Sequence, residues 1–299
     1  MAPAAVALAD YAREHADVHA VRTTVFVEGQ GVPAELERDA LDPVSAHVLA
    51  RTADGTPVGT ARLTPDRRIG RMAVLEAYRG RGIGEALLEA LVAHARARGW
   101  PEVSLHAQLH ALPFYARAGF VPCGPVFSEA GIDHRLMVRR LPGSSPVEDA
   151  EAAAAVLVAL AGHARRGLSI YSRALDPGLL DRRDVVDAIR RFATRRGRCQ
   201  VRILLQDAAT PQREDAPLLA LAQRLPSVFE LRQTDDPVDG RYPSAYAFND
   251  TGGALFRPLG QRFEGEGGIE DRPAARRLAQ AFEPVWTRSR PCTELRALG

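Results

Sequence analysis

The segment Tyr78-Arg79-Gly80-Arg81-Gly82-Ile83-Gly84-Glu85-Ala86-Leu87-Leu88 constrains this chain most. It follows an apolar run at residues 69–75 and leads into residues 85–98, where Leu87, Leu88, Leu91 and Val92 share one helical face and Gly99 stops the pattern. Three glycines between a strand and a helix give a tight turn. They leave bare N–H groups at the start of the helix, where aligned peptide dipoles favour an anion. Arg79 and Arg81 add positive charge, so a pyrophosphate is the natural ligand. A turn whose glycines serve only their φ angles would carry the same pattern.

Other nucleotide motifs fail here. A dinucleotide-binding GxGxxG starting at Gly80 needs glycine where Glu85 stands, and a Walker loop needs lysine. All 39 basic residues are arginine, so lysine Schiff-base chemistry is excluded too. What remains is R-x-x-G-x-G over residues 79–84, followed by a strand at 103–106, then Phe114-Tyr115 and Gly119-Phe120. This combination resembles the GNAT superfamily of N-acetyltransferases. Residues 21–141 further resemble its ElaA-like and YjcF-like subgroup through Val25-Phe26-Val27, Gln30-Gly31-Val32-Pro33, Glu37-x-Asp39-x-x-Asp42, His47, Leu105-x-Ala107-Gln108 and Glu129-Ala130-Gly131-Ile132-Asp133-His134. Subgroup members carry a glutamate just before the glutamine; here Gly29 holds that place and the acid is Glu28.

The resemblance implies an acyl-CoA N-acyltransferase fold with a mixed sheet, acetyl-CoA as co-substrate, and direct attack of an amine on the thioester. It assigns the pyrophosphate to the backbone of Arg79, Gly80, Arg81, Gly82, Ile83 and Gly84. The pantetheine arm falls to Met72, Ala73 and Val74, where a bulge would turn an N–H toward the thioester oxygen, and Tyr115 would donate to the sulfur. An alkylamine of pKa about 10 is almost wholly protonated at neutral pH, so a base helps. His134 and then His106 are the candidates, with Glu28, Glu37 and Asp39 left open. Glu37, Asp39, Asp42 and His47 match no metal-ligand spacing; a solvated or capping role is expected there, and no metal.

With 299 residues the chain has length for two domains. Turn formers at 141–146 suggest a boundary, giving domains at 1–142 and 145–299. Ser145 and Glu148 have capping-box spacing with Pro146 at the first helical position, predicting a helix from there to His163. Strands at 168–172, 201–205 and 229–231, helices at 183–194 and 217–224, and a last helix from Pro273 make the second half α/β. Tyr171-Ser172-Arg173, residues 202–207 and residues 247–253 loosely resemble half of a phospholipase D-like fold, as in a domain of unknown function fused behind such acetyltransferases. Active members use H-x-K-x-x-x-x-D, but counting back from Asp250 finds Pro243 and Ala245, and no histidine follows His163. That domain is expected to be non-catalytic and could shape substrate access or form a homodimer.

Charge is balanced: 16 Arg against 16 acids up to Pro142, and 23 against 21 beyond. Bulk nucleic-acid binding is not implied. Arg182, Arg183, Arg190, Arg191, Arg195, Arg196 and Arg198 could contact phosphates, but a solvated helix face is favoured, stacking aromatics being scarce. Three separated cysteines, no signal peptide and no apolar run of membrane length lead to an expected cytoplasmic location. The partner expected is a small-molecule or peptide amine. The competing reading is an acetyl-CoA-sensing regulatory protein whose arginine-rich second domain binds nucleic acid or a protein.

Overall fold

The computed structural model describes residues 4–129, 131–213 and 216–292. Ala130, within the Glu129–His134 motif, is outside the described residues. The chain forms two compact units, Met1–Leu109 with Val126–Leu136, and His110–Pro125 with Met137–Gly299.

The first sheet takes β1 (Ala5–Ala9), β2 (Ala46–Arg51), β3 (Pro57–Leu63), β4 (Arg68–Val74), β5 (Glu102–Gln108), β6 (Val121–Glu129) and β7 (Ile132–Arg140), in the order β1-β2-β3-β4-β5-β7-β6. Its helices are α1 (Tyr11–Arg22), the single turn α2 (Ala34–Glu37) and α3 (Ile83–Ala97), followed in the chain by α4 (Leu112–Arg117). Asp10 caps α1 by accepting from the Ala12 N–H at 3.2 Å. The Asp54-Gly55 turn closes the β2–β3 hairpin, as its residue types require. Helix α3 buries Ile83, Leu87, Leu88, Leu91 and Val92. It comes close to β3 at Gly59, where a Cβ would fall 3.1 Å from both Ile83 and Leu87. That approach fixes where the helix begins.

The second unit contains β8 (Gly143–Val147), α5 (Ala150–His163), β9 (Gly167–Ser172), α6 (Arg183–Ala193), β10 (Gln200–Leu205), α7 (Ala209–Arg213), α8 (Pro217–Arg224), β11 (Phe229–Gln233), β12 (Ala245–Asn249), β13 (Ala254–Arg257), β14 (Gly265–Glu270), α9 (Arg272–Arg288) and β15 (Arg290–Pro291). Its eight-stranded sheet runs β15-β11-β10-β9-β12-β13-β14-β8, with β9, β10 and β11 parallel and β12 antiparallel to β9. Helix α5 is buried from Ala152 to Ala161 and is the centre of the core; no described helix is long and apolar enough to cross a membrane. Leu278, Phe282 and Trp286 form the buried face of α9.

The helix expected from Ser145 begins later. Residues 143–147 form β8, paired antiparallel with β14, and Asp149 caps α5 through the Ala152 N–H at 2.8 Å. Ser145 and Val147 are buried while Pro146 is exposed, the alternation of a strand. As the last strand of its sheet β8 tolerates a proline, whose missing N–H costs no ladder bond on the open side. Glu148 accepts from the Gly124 N–H at 2.8 Å instead of closing a capping box.

Candidate acyl-donor site

Strand β4 carries a bulge. Gly59 pairs with Val74 and Thr60 with Ala73, then Arg62 pairs with Gly70, so three residues of β4 span two of β3 and the extra one falls at Arg71-Met72. Arg71 has φ +51, unusual for a side chain with a Cβ. Three side-chain bonds hold it there: to the carbonyls of Glu37 at 3.0 Å and Leu36 at 2.9 Å, and to the Asp39 carboxylate at 3.2 Å. The parallel ladder to β5 pairs Arg68 with Ser104 and Ile69 with Leu105, whereas β4 continues to Val74 and β5 to Gln108. Met72, Ala73 and Val74 therefore lie past the end of that ladder, on the bulged stretch. Ala73 is buried with Val21 and Val25.

Four residues beyond β4 comes the glycine turn. Gly80 has φ +71 and Gly82 φ +78, so both need the left-handed region that glycine enters without strain. Gly82 is the N-cap of α3, and no side chain caps that 15-residue helix. Its first-turn N–H groups and dipole meet at the end of the turn. Arg79 donates to the Val74 carbonyl at 3.1 Å and Arg81 to the Ala77 carbonyl at 2.8 Å, with Arg81 5.2 Å from the Tyr78 ring centroid. Both acceptors are neutral carbonyls of the segment that leads into the turn. This backbone is built to receive an anion.

The acidic motif Glu37-x-Asp39-x-x-Asp42, expected to be solvated or capping, is a buried arginine network. Arg22 is fully buried and donates to the Glu37 carboxylate and carbonyl and to Asp42 at 2.8 Å. Arg62 donates to Asp42 at 2.6 Å and to Asp39 at 2.7 Å. Burial alone would raise the Asp42 carboxyl, but Arg22 and then Arg62 outweigh it and hold it at about 2. Asp39 is lowered in the same way by Arg62. His47 donates from Nε2 to the Asp42 carbonyl at 2.9 Å and stacks on Tyr11 at 4.4 Å, and burial lowers its pKa. No described group of His, Cys, Asp and Glu could hold a metal ion. Glu37 and Asp39 are thus committed to guanidinium groups rather than available as bases, and Glu28 is exposed.

The two histidines proposed as bases meet around one ring. Phe127 lies edge-on to His106 at 4.8 Å and near-parallel to His134 at 6.1 Å. His106 Nδ1 is 2.9 Å from a Glu129 carboxylate oxygen, and His134 Nδ1 is 2.8 Å from the Ile132 carbonyl. A carboxylate and a carbonyl accept, so each Nδ1 carries a proton, and in the neutral tautomer this fixes, the lone pair is on Nε2. The sequence offered the histidines and marked Glu129 as part of a motif, but nothing in it paired Glu129 with His106 or placed Phe127 between the two rings. Tyr115 belongs to α4 in the second unit, half-buried with Phe114 at 4.9 Å and Phe120 at 6.2 Å, and burial pushes its phenol up to about 12.

The basic stretch of the second unit is mostly paired locally. Arg182 binds Asp184 at 3.1 Å, Arg190 binds Asp187 at 2.8 Å, and Arg195 donates to the carbonyls of Ala164 and Gly162 at 3.0 and 2.9 Å.

Residues 7–141 match the family model described as "Acetyltransferase (GNAT) domain", and residues 149–298 match "Domain of unknown function (DUF7931)". A UPF0039 protein of Synechocystis is 36% identical over 131 residues, covering 41% of this chain and 84% of the relative. The "Uncharacterized N-acetyltransferase YjcF" of Bacillus subtilis is 36% identical over 127 residues, covering 41% of this chain and 90% of the relative. The crystal structure of Escherichia coli ElaA aligns with 29% identity and a TM-score of 0.40, covering 46% of this chain and 99% of that one.

Proposed function

Because the chain belongs to the GNAT acetyltransferase family, we propose that it moves an acetyl group from acetyl-CoA to the amine of a small molecule or peptide by direct attack. The observation that carries this reading is the turn at Gly80 and Gly82, both at positive φ, directly before a long helix that no side chain caps. Backbone N–H groups of residues 79–84 would hold the pyrophosphate, with Arg79 and Arg81 lending charge. The bulged stretch Met72, Ala73 and Val74 would align the pantetheine arm and turn a donor toward the acyl oxygen; one such donor is worth about 3 kcal/mol in other acyl-transfer enzymes. When bound, acetyl-CoA supplies an acyl group already activated as a thioester.

The remaining work is proton handling. An ordinary thiol ionises at about 8.5, well below a phenol that burial pushes up to about 12, so Tyr115 would hydrogen-bond to the departing sulfur while keeping its own proton, and the thiolate leaves as the weaker base. His134 and His106 present Nε2 as proton acceptors for the amine, His106 with its other nitrogen anchored on Glu129. Replacing each by Gln distinguishes them: the base is the one whose loss lowers kcat about 10²-fold or more.

The transfer domain is assigned to residues 1–142. Residues 145–299 we infer to be a phospholipase D-like half that has lost its chemistry. The parallel β9–β10 pair, antiparallel β12 and the turn at Asp250 support the likeness. Pro243 and Ala245 replace the reactive pair, and Asp250 is spent on the N–H groups of Arg165 and Arg166 at 2.8 and 2.9 Å.

The test is thiol release from acetyl-CoA across a series of amines. Turnover that Gly82→Glu abolishes supports the reading. Tight acetyl-CoA binding with no turnover for any amine of the series refutes it in favour of a sensor.

A further inference from the structure

A cavity of about 560 Å³ lies wholly within the second unit, at the N-terminal ends of β9 and β10, walled by the β12–β13 turn and by α9. Its size is that of a small-molecule site. Arginines Arg165, Arg202, Arg272 and Arg276 line it, against a single acid, Asp250. Both oxygens of that acid are already taken by backbone N–H groups, as above.

Arg202 is also committed. It makes a two-pronged pair with Glu283 at 3.0 and 2.6 Å, touches the Ser169 hydroxyl at 3.2 Å, and lies 5.0 Å from the Phe282 ring centroid. The other three differ. Among the described residues the side chains of Arg165, Arg272 and Arg276 have no hydrogen bond or ion pair. Arg272 and Arg276 stand one helical turn apart on α9, where like charges repel. Three guanidinium groups line one hollow against the single carboxylate of Asp250, and among the described residues none of the three has an ion-pair partner.

The wall that presents them is rigidly made. Asn249, the chain's single asparagine, accepts from the N–H groups of Thr251 and Gly253 at 3.1 and 2.8 Å and from the Thr251 hydroxyl at 2.9 Å. Its amide donates to the Leu160 carbonyl at 2.9 Å, tying the turn to the buried helix α5. Gly252, at φ +101, abuts the root of Arg272: a Cβ there would lie 2.5 Å from Arg272 Cγ. A pre-shaped hollow with planar, always-charged forks on its rim matches phosphate oxygens, which guanidinium groups bind two at a time.

We propose that this cavity binds the phosphate groups of a small phosphorylated molecule of about nucleotide size. Arg272, Arg276 and Arg165 would pair the phosphate, with the Gln200 side chain offering a neutral donor beside it. The site is at the opposite end of the parallel strands from their C-terminal edge, and it does not depend on the transferase reading.

Calorimetric titration of the full chain with inorganic pyrophosphate, ATP and glucose 6-phosphate tests this, with coenzyme A titrated in parallel. Pyrophosphate or one of the two organic phosphates should bind, ATP over glucose 6-phosphate marking a nucleotide and the reverse a sugar phosphate. The Arg272→Ala/Arg276→Ala double variant, altered only at exposed positions, should weaken that binding at least about tenfold and leave coenzyme A binding unchanged, whereas Gly82→Glu should do the reverse. Absence of binding for all three probes overturns the proposal. So does affinity untouched by the double variant, loss of the signal with Gly82→Glu, or binding of an RNA oligonucleotide without binding of any small phosphate.

Discussion

Removing the charge of Arg22 tests whether the buried network truly shapes the first unit. Methionine keeps most of the stem of a side chain that is 0% exposed and deletes only the guanidinium, leaving Asp42 with Arg62 and Glu37 with Arg38 at 3.8 Å. Taking one partner from a buried ion pair costs about 3–5 kcal/mol, because the carboxylates stay desolvated. The pH dependence carries the sharper signature. Asp42, held at about 2 against an ordinary 3.8, ionises more readily folded than unfolded, so its contribution is complete above about pH 3.8 and disappears as pH falls toward 2. That shift corresponds to about 2 kcal/mol. In Arg22→Met the orphaned carboxylates gain by taking up protons, so the deficit against the parent should be largest near neutral pH and shrink below about pH 4. Burial and, after it, the Arg22 charge also lower His19 and His47, which therefore favour the folded chain above their ordinary 6.5 and oppose it as pH falls below that; Arg22→Met relieves part of this, which narrows the deficit at low pH in the same direction. Urea unfolding followed by circular dichroism, at about pH 7.5 and about pH 4, reads both quantities. A deficit under about 1 kcal/mol at the higher pH, or one that does not narrow at the lower, refutes the reasoning.

Tyr115→Phe should lower kcat about 10²-fold with the KM for acetyl-CoA unchanged, and steady-state kinetics separates the two. Because that phenol is pushed up to about 12, the parent enzyme should show no alkaline loss from its titration up to about pH 11. Gly119→Ala should destabilise by about 2 kcal/mol in thermal unfolding, since the new Cβ at φ +83 would sit 2.6 Å from Ile269 Cδ1.

Much of the first unit could be read directly because local signals and packing agree there. The Asp10 cap, the Asp54-Gly55 hairpin and the face of α3 each rest on residues whose preference coincides with the final environment. Sequence also placed the bulge on β4 by resemblance, but not its cause, which is long-range: Arg71 reaches carbonyls 34 and 35 residues earlier. The acidic motif misled for the same reason. Acids on a loop look solvated until the arginines they meet are known, and Arg22 gives itself away only by standing beside Val18, Val21 and Val25 on a buried helix face. At 143–147 two local rules competed: a capping-box spacing predicted a helix, and pairing with β14 won because it buries Ser145 and Val147 at the sheet edge. The arginine-rich cavity was beyond reach, since its walls come from segments spread between Arg165 and Arg276.

Everything proposed for the first unit requires the turn at Gly80 and Gly82 to receive the diphosphate of coenzyme A. Calorimetric titration of coenzyme A into the full chain, parent against Gly82→Glu, measures it directly, because glutamate brings both a Cβ to φ +78 and a negative charge to the helix start. The parent should bind one coenzyme A saturably, and the variant should lose at least about a hundredfold in affinity. Equal affinity in both, or none in the parent, would contradict it.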